Sequence, residues 1–247
     1  MSLAASIGGK TLSAPQIHVN DNASAVAQAL SQWFVDRTRE YIEAYHYCAW
    51  ALSGGKSPIE LFRLLAQSRA IDWPLVQVYL VDERDVFSTD PLSNYRMLEE
   101  NLLKKLHIAP GRVYPWATGV DDPRESLASY RQALEHLHRH NDLPQLDIAL
   151  QGMGLDGHTA SVFPNSPQAR STDWVAYGPG PGANRYTLTL PVLANSRQVV
   201  FLATGKDKAE RVRDCLDGHH PDLPAAWLTE HASVVHWFLD RDSASAL

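Results

Sequence analysis

The chain has 247 residues, 45% of them hydrophobic, which is enough for one substantial core and predicts a single domain over residues 1–247. Its formal net charge of −6, with no clustered basic stretch, argues against a nucleic-acid surface, so an anionic ligand needs local cations. No apolar run reaches the length of a membrane span, Met1-Ser-Leu-Ala-Ala lacks the regions of a signal peptide, and Cys48 and Cys215 have no paired spacing, so a reducing cytoplasm is expected.

Ile17-His-Val19 reads as a first short strand, and Asn22 as the N-cap of a helix with Val26, Leu30, Trp33 and Phe34 on one face. Tyr45 to Leu52 reads as a buried strand running into Ser53-Gly-Gly-Lys-Ser-Pro58. Pro58 then starts a helix with Ile59, Phe62, Leu65 and Ala66 inward. The next strand, Leu75 to Val81, ends in Asp82-Glu-Arg-Asp-Val86, and Ser93-Asn-Tyr opens a helix expected through Leu106. Pro110-Gly111 breaks the chain before Arg112-Val-Tyr-Pro115. A helix from Pro123 keeps its spacing through Leu127, Tyr130, Leu134 and Leu137 up to Asn141.

Leu146 to Leu150 is a short apolar run that reads as a buried strand, entering the glycine-rich turn Gly152-Met-Gly-Leu-Asp-Gly157. Gly178-Pro-Gly-Pro-Gly182 reads as a loop, Tyr186 to Leu190 as a β-rich alternation, and Val199 to Thr204 as a buried strand. Gly205 leads into a helix carrying Lys206 and Lys208, and Val234 to Leu239 closes the chain as a strand. This alternation predicts an α/β class: a modified Rossmann-like fold, with a mainly parallel sheet flanked by helices and a small additional β-rich portion.

Four polar loops each follow a predicted strand: Ser53-Gly54-Gly55, Asp82-Glu83-Arg84, Gly152 to His158, and Gly205 to Lys208. In open α/β sheets ligands bind at that edge, so the four are expected to converge. Gly152, Gly154 and Gly157 match the dinucleotide fingerprint, but Pro164 follows too soon for the long helix that such a turn opens. No cofactor is expected. Asp156 stands two residues before His158, close enough to fix its imidazole tautomer for general-base work; a plain glycine turn with a capping aspartate is the alternative.

Ser53 to Ser57 contains Gly-Lys-Ser without the first glycine of a nucleotide P-loop, since Trp50 stands there. A generic phosphate cradle and an ordinary helix start both fit this loop, with Lys56 able to add charge. Arg84 reads as a salt bridge to neighbouring acids or as an anion fork. Arg185 and Lys208 are equally ambiguous alone, and only the joint placement favours a site. His136, His138 and His140 lack a metal-site arrangement and read as a solvated helix face, and His219-His220 as a loop, so no catalytic metal is expected. No Gly-x-Ser-x-Gly elbow exists for a serine hydrolase.

Taken in order, Ser53-Gly-Gly-x-Ser-Pro58, Asp82-Glu-Arg-x-Val86, Ser93-Asn-Tyr95, Gly-Met-Gly-x-Asp-Gly-His-Thr-Ala-Ser-x-Phe-Pro164, Arg185-x-Thr-Leu-Thr189 and Gly205-x-x-Lys208 closely resemble 6-phosphogluconolactonases, from about residue 20 to Asp240. Glucosamine-6-phosphate deaminases share the central glycine-aspartate-histidine core. They typically continue with Ile-Ala-Phe-Asn-Glu-Pro, where this chain has Thr159-Ala-Ser-Val-Phe-Pro164, and lack an arginine after their Asp-Glu pair.

The resemblance implies metal-independent hydrolysis of 6-phospho-D-glucono-1,5-lactone in the oxidative pentose phosphate pathway. It puts the catalytic histidine on His158 with Asp156 as the nearby acid, and the phosphate site on Ser53, Gly54, Gly55, Arg84 and Lys208. Lys56, Asp82, Gly154 and Arg185 are further substrate-site candidates, Lys56 being a departure from the small polar residue of many members. The expected partner is the small sugar-phosphate lactone, with no nucleic acid or membrane, and with a monomer or a homodimer both compatible. A non-catalytic sugar-phosphate sensor is the reading from another class, but the chain carries no basic helix-turn-helix segment.

Overall fold

In the computed structural model, residues 6–7, 10–11, 13–106 and 112–247 are described. The expectations for Met1 to Ala5 and for Pro110-Gly111 lie outside them. A seven-stranded sheet forms the centre. Its strands are β1 (Gln16–Asn20), β2 (Cys48–Leu52), β3 (Val76–Leu80), β5 (Val113–Tyr114), β6 (Ile148–Gln151), β9 (Gln198–Ala203) and β10 (Val235–Asp240). The order is β1-β10-β9-β6-β2-β3-β5, and every pairing is parallel. A second sheet of three antiparallel strands joins β4 (Asp82–Arg84), β7 (Val175–Gly178) and β8 (Arg185–Leu188) in the order β7-β8-β4. The expected α/β class with a small β-rich portion is what the chain adopts.

Strands β2, β6 and β9 are buried almost throughout, as their near-continuous apolar sequences require of parallel strands covered on both faces. Around them α1 (Ala23–Tyr45), α2 (Ile59–Gln67) and α3 (Asn94–Asn101) pack in series, while α5 (Leu190–Ala194), α6 (Ala209–Leu216) and α7 (Pro224–His231) form a second packed group. The remaining helix, α4 (Pro123–Leu134), packs against β7. Val26, Leu30 and Phe34 are buried on α1, and Asn22 caps it by accepting from the Ala25 N–H at 3.0 Å. No helix among the described residues is long and apolar enough to cross a membrane.

Several expected boundaries move, each for a local reason. Tyr45 belongs to α1, whose periodicity runs on until His46 turns left-handed at φ 64°, so β2 begins only at Cys48. The helix opened by Ser93 ends at Asn101, and Leu103–Lys105 is a separate 3₁₀ turn. The helix from Pro123 stops at Leu134 instead of Asn141. Beyond it Arg139–His140 pairs with Leu143–Pro144 in a hairpin whose tip residues, Asn141 and Asp142, have φ of 51° and 60°. His136, His138 and His140 are therefore not a helix face, although all three are solvent-exposed. Asp82-Glu-Arg is a strand, because its backbone pairs with Thr187, Tyr186 and Arg185. Among the elements for which the sequence carried no expectation are β5, β7, α5 and α7.

At the β1 edge, His18 Nε2 and His236 Nδ1 lie 3.1 Å apart, and His236 Nε2 reaches Gln198 Oε1 at 2.9 Å. Burial, helped by the charges of His18 and Arg37, depresses the His236 pKa from 6.5 to about 4, and burial lowers His18 as well. Because the folded value lies below the unfolded one, the unfolded chain binds protons first as pH falls. The stability contributed by the neutral ring is thus complete above pH 6.5 and is lost on acidification towards pH 4. Urea midpoints measured across that window are expected to fall more steeply for the wild type than for His236→Asn. Parallel curves would remove this pair from the pH response.

Candidate functional site

Strand order reverses between β2 and β6. From β2 the chain builds outward through β3 to β5, then returns to add β6, β9 and β10 on the other side. A crevice opens at such a point beyond the carboxyl ends of the strands. Here it is a cavity of about 280 Å³, lined by residues that follow β2, β3, β6 and β9. The four loops singled out in the sequence do converge on it.

After β2, Ser53, Gly54, Gly55, Lys56, Ser57 and Pro58 line one wall, leading into the amino end of α2. After β3 the chain passes through Val81 into β4 without leaving the sheet edge: Val81 donates to Leu52 O at 3.0 Å and accepts from Leu188 N at 2.8 Å. This carries Asp82 and Arg84 to the cavity. The Asp82 carboxylate accepts from Ser161 Oγ at 2.6 Å and from Asn94 Nδ2 at 3.2 Å. Lys208, at the end of the 3₁₀ turn Lys206–Lys208 ahead of α6, donates from Nζ to Met153 O at 2.7 Å. Its ammonium is thereby tied to the glycine turn that carries the histidine.

That turn is closed by backbone bonds from Gly154 N to His158 O (2.9 Å) and from Gly157 N to Gly154 O (3.0 Å). It brings His158 Nδ1 to 2.5 Å from Asp156 Oδ1. An ionised carboxylate only accepts, so Nδ1 carries a proton, and Nε2 is the ring nitrogen left free to exchange one. Phe163 lies against the imidazole, with ring centroids 4.7 Å apart. Burial opposes ionisation of Asp156. The His158 charge and ring N–H, with backbone N–H groups, outweigh burial and hold this carboxyl below its ordinary range. Gly154 is required by close approach, since a Cβ there would overlap both the His158 ring and the Asp156 carboxylate.

A sequence model of the family described as glucosamine-6-phosphate isomerases/6-phosphogluconolactonase matches residues 21–237. The chain belongs to this family. The 6-phosphogluconolactonase of Treponema pallidum is 34% identical over 220 residues, covering 85% of this chain and 88% of that protein. The protein of the same name in Mycobacterium tuberculosis is 36% identical over 208 residues, covering 79% of this chain and 83% of its own. Among solved structures, 6-phosphogluconolactonase from Trypanosoma brucei superposes with a TM-score of 0.85 at 26% identity, covering 94% of this chain and 98% of that one. A monomeric glucosamine-6-phosphate deaminase shares the fold, with a TM-score of 0.81 at 20% identity over 94% of this chain and all (100%) of that one.

Within this member of the family, the cavity gathers His158, Ser53, Gly54, Gly55, Lys56, Asp82, Arg84, Gly154 and Lys208. Asp156 stands behind, touching His158 rather than the cavity. Arg185 is one place removed. It pairs across the strands with Arg84, donates from Nη2 to Pro181 O at 2.6 Å, and does not line the cavity. Burial, and then the Arg84 charge, lower its pKa. Asn94 and Gln151 line the cavity without having been singled out as site residues. Asn94 follows the helix-capping Ser93, so two capping-type residues in a row were the available signal; Gln151 ends an apolar strand, where a buried amide is unexpected. Elsewhere, Asp214, Asp217 and His220 form a carboxylate-histidine cluster outside the cavity, with Asp214 already paired to Arg211 and Arg213.

Proposed function

We propose that the chain hydrolyses 6-phospho-D-glucono-1,5-lactone to 6-phospho-D-gluconate, as a carboxylic ester hydrolase of the oxidative pentose phosphate pathway. The observation that carries this reading is one cavity holding both a carboxylate-oriented histidine and a set of anion-binding groups. Family membership and the names of the relatives from Treponema and Mycobacterium support the substrate.

In this reading Nε2 of neutral His158 takes a proton from water as the oxygen attacks the lactone C1. The ring becomes imidazolium, and the Asp156 carboxylate at Nδ1 stabilises that charge. The negative oxygen formed on C1 develops in a cavity that carries Lys56, Arg84 and Lys208. Collapse of the tetrahedral species breaks the bond from C1 to the ring oxygen, and the proton on Nε2 passes to that leaving oxygen. The new carboxylic acid then ionises. The phosphate is held by the Ser53-Gly54-Gly55 turn, Arg84 and Lys208, which orients the ring towards His158. No metal enters this scheme, because a lactone is an activated ester within reach of imidazole-assisted water.

The test follows freshly generated lactone with purified protein and a chelator, after subtraction of spontaneous hydrolysis. Chelator-resistant acceleration is expected. A folded protein that does not accelerate the reaction ends the assignment, and acceleration abolished by the chelator and restored by a divalent ion ends its metal-independent form.

A further inference from the structure

Asn94 is the first residue of α3 and is 2% exposed. The helix does not need its side chain, because Ser93 Oγ already accepts from Arg96 N at 3.1 Å. Its amide nitrogen instead donates to Asp82 O at 3.0 Å and Asp82 Oδ1 at 3.2 Å. Since an amide nitrogen only donates and an amide oxygen only accepts, these two bonds fix which way round the group sits. Oδ1 is thereby turned to Arg84, whose Nη1 donates to it. Among the described residues Arg84 forms no ion pair with a carboxylate.

The neighbouring acids are occupied elsewhere. Glu83 accepts from the N–H groups of Arg84, Asn94 and Tyr95, each at 2.7 Å, and from Ser93 Oγ at 3.0 Å. Asp82 faces Asn94 and Ser161. On its other side the Asn94 amide fills the space where a Cβ on Gly54 would stand, so it touches the phosphate turn as well as the arginine.

We propose that Asn94 is a positioning residue for anion recognition: it aims the Arg84 guanidinium through a neutral oxygen, so that the full charge stays available to the phosphate. A carboxylate in its place would orient the guanidinium as well, but it would neutralise the charge and compete with the ligand. This inference rests on the reading of Arg84 as a phosphate anchor.

The experiment measures calorimetric affinity for 6-phosphogluconate, the phosphate-bearing product of the proposed reaction. The proteins compared are wild type, Asn94→Ala, Asn94→Asp, Arg84→Met and the double variant Arg84→Met/Asn94→Ala, each checked for its fold by near-UV circular dichroism. Asn94→Ala is expected to weaken binding about tenfold, the order of one hydrogen bond to a charged group. Asn94→Asp is expected to weaken it further. In the Arg84→Met background, Asn94→Ala is expected to add less than about twofold, since a residue acting through Arg84 has nothing left to aim.

Wild-type affinity in Asn94→Ala, or an equal loss in both backgrounds, overturns the proposal; the latter would mean that Asn94 only shapes the turn at Gly54. Asn94→Asp keeps the shape, and a helix start tolerates an acid, so it carries the test alone if the alanine variant does not fold. Retained affinity in Asn94→Asp is equally fatal. A folded wild type that does not bind 6-phosphogluconate strikes instead at the proposed function.

Discussion

Replacing His158 by alanine is expected to leave the fold intact and to lower kcat on 6-phosphogluconolactone by about 10²–10⁴-fold, the usual contribution of a positioned general base. The fold should survive because the side chain is only half-buried, and the turn is closed by backbone bonds from Gly154 and Gly157 that do not involve the imidazole. The loss should be concentrated in kcat, since His158 acts on water rather than on the phosphate. Asp156→Asn is the companion variant. It removes the charge that holds Nδ1 protonated and stabilises the imidazolium, so its kcat should also fall while its affinity for 6-phosphogluconate stays near that of wild type. Near-normal turnover by a folded His158→Ala protein, measured against the spontaneous rate, would remove this histidine from the mechanism.

Replacing Arg84 by methionine is expected to lower kcat/KM by about 10²-fold, the order of two hydrogen bonds to a charged group. Part of the loss should appear in kcat. Phosphate binding away from the reacting carbon fixes the ring against His158, and that energy is realised in the transition state. The neutral methionine keeps the length of the side chain and leaves the Glu83 carboxylate on its backbone N–H partners. Steady-state kinetics resolve the outcome: less than a threefold loss, confined to KM, would mean that Lys208 and the glycine turn hold the phosphate without Arg84.

Much of this site was readable because its residues follow strands, and strands of a buried parallel sheet announce themselves as short apolar runs. Leu146 to Leu150 could be seen to deliver the glycine turn, and Val199 to Thr204 to deliver Lys208. Asp156 and His158 are two residues apart, so their pairing needs nothing beyond the turn that contains them. The helices were read less well. The pattern of Leu127, Tyr130, Leu134 and Leu137 continues past the real end of α4, because Leu137 is buried by packing rather than by helical continuation. Short elements such as α5 and α7 owe their existence to the surface they cover, and propensity over so few residues is too weak to mark them.

The sequence by itself determined the α/β class, the four polar stretches that follow strands, and the histidine with its neighbouring acid, since each depends on local pattern or near neighbours. Only the tertiary structure decided which groups share the cavity. Strand order at the switch between β2 and β6 sets the glycine turn of residues 53–55 beside that of residues 152–158, and order among distant strands leaves no local signature. Pairing of β4 with β8 turned an apparent loop into a strand, brought Arg84 to the site and held Arg185 outside it. The role of Asn94 is of the same kind. Its contacts with Asp82, Arg84 and Gly54 exist because α3 is pinned against β4 through Glu83, and a hydrogen bond between residues far apart in sequence is fixed only when the fold closes around it.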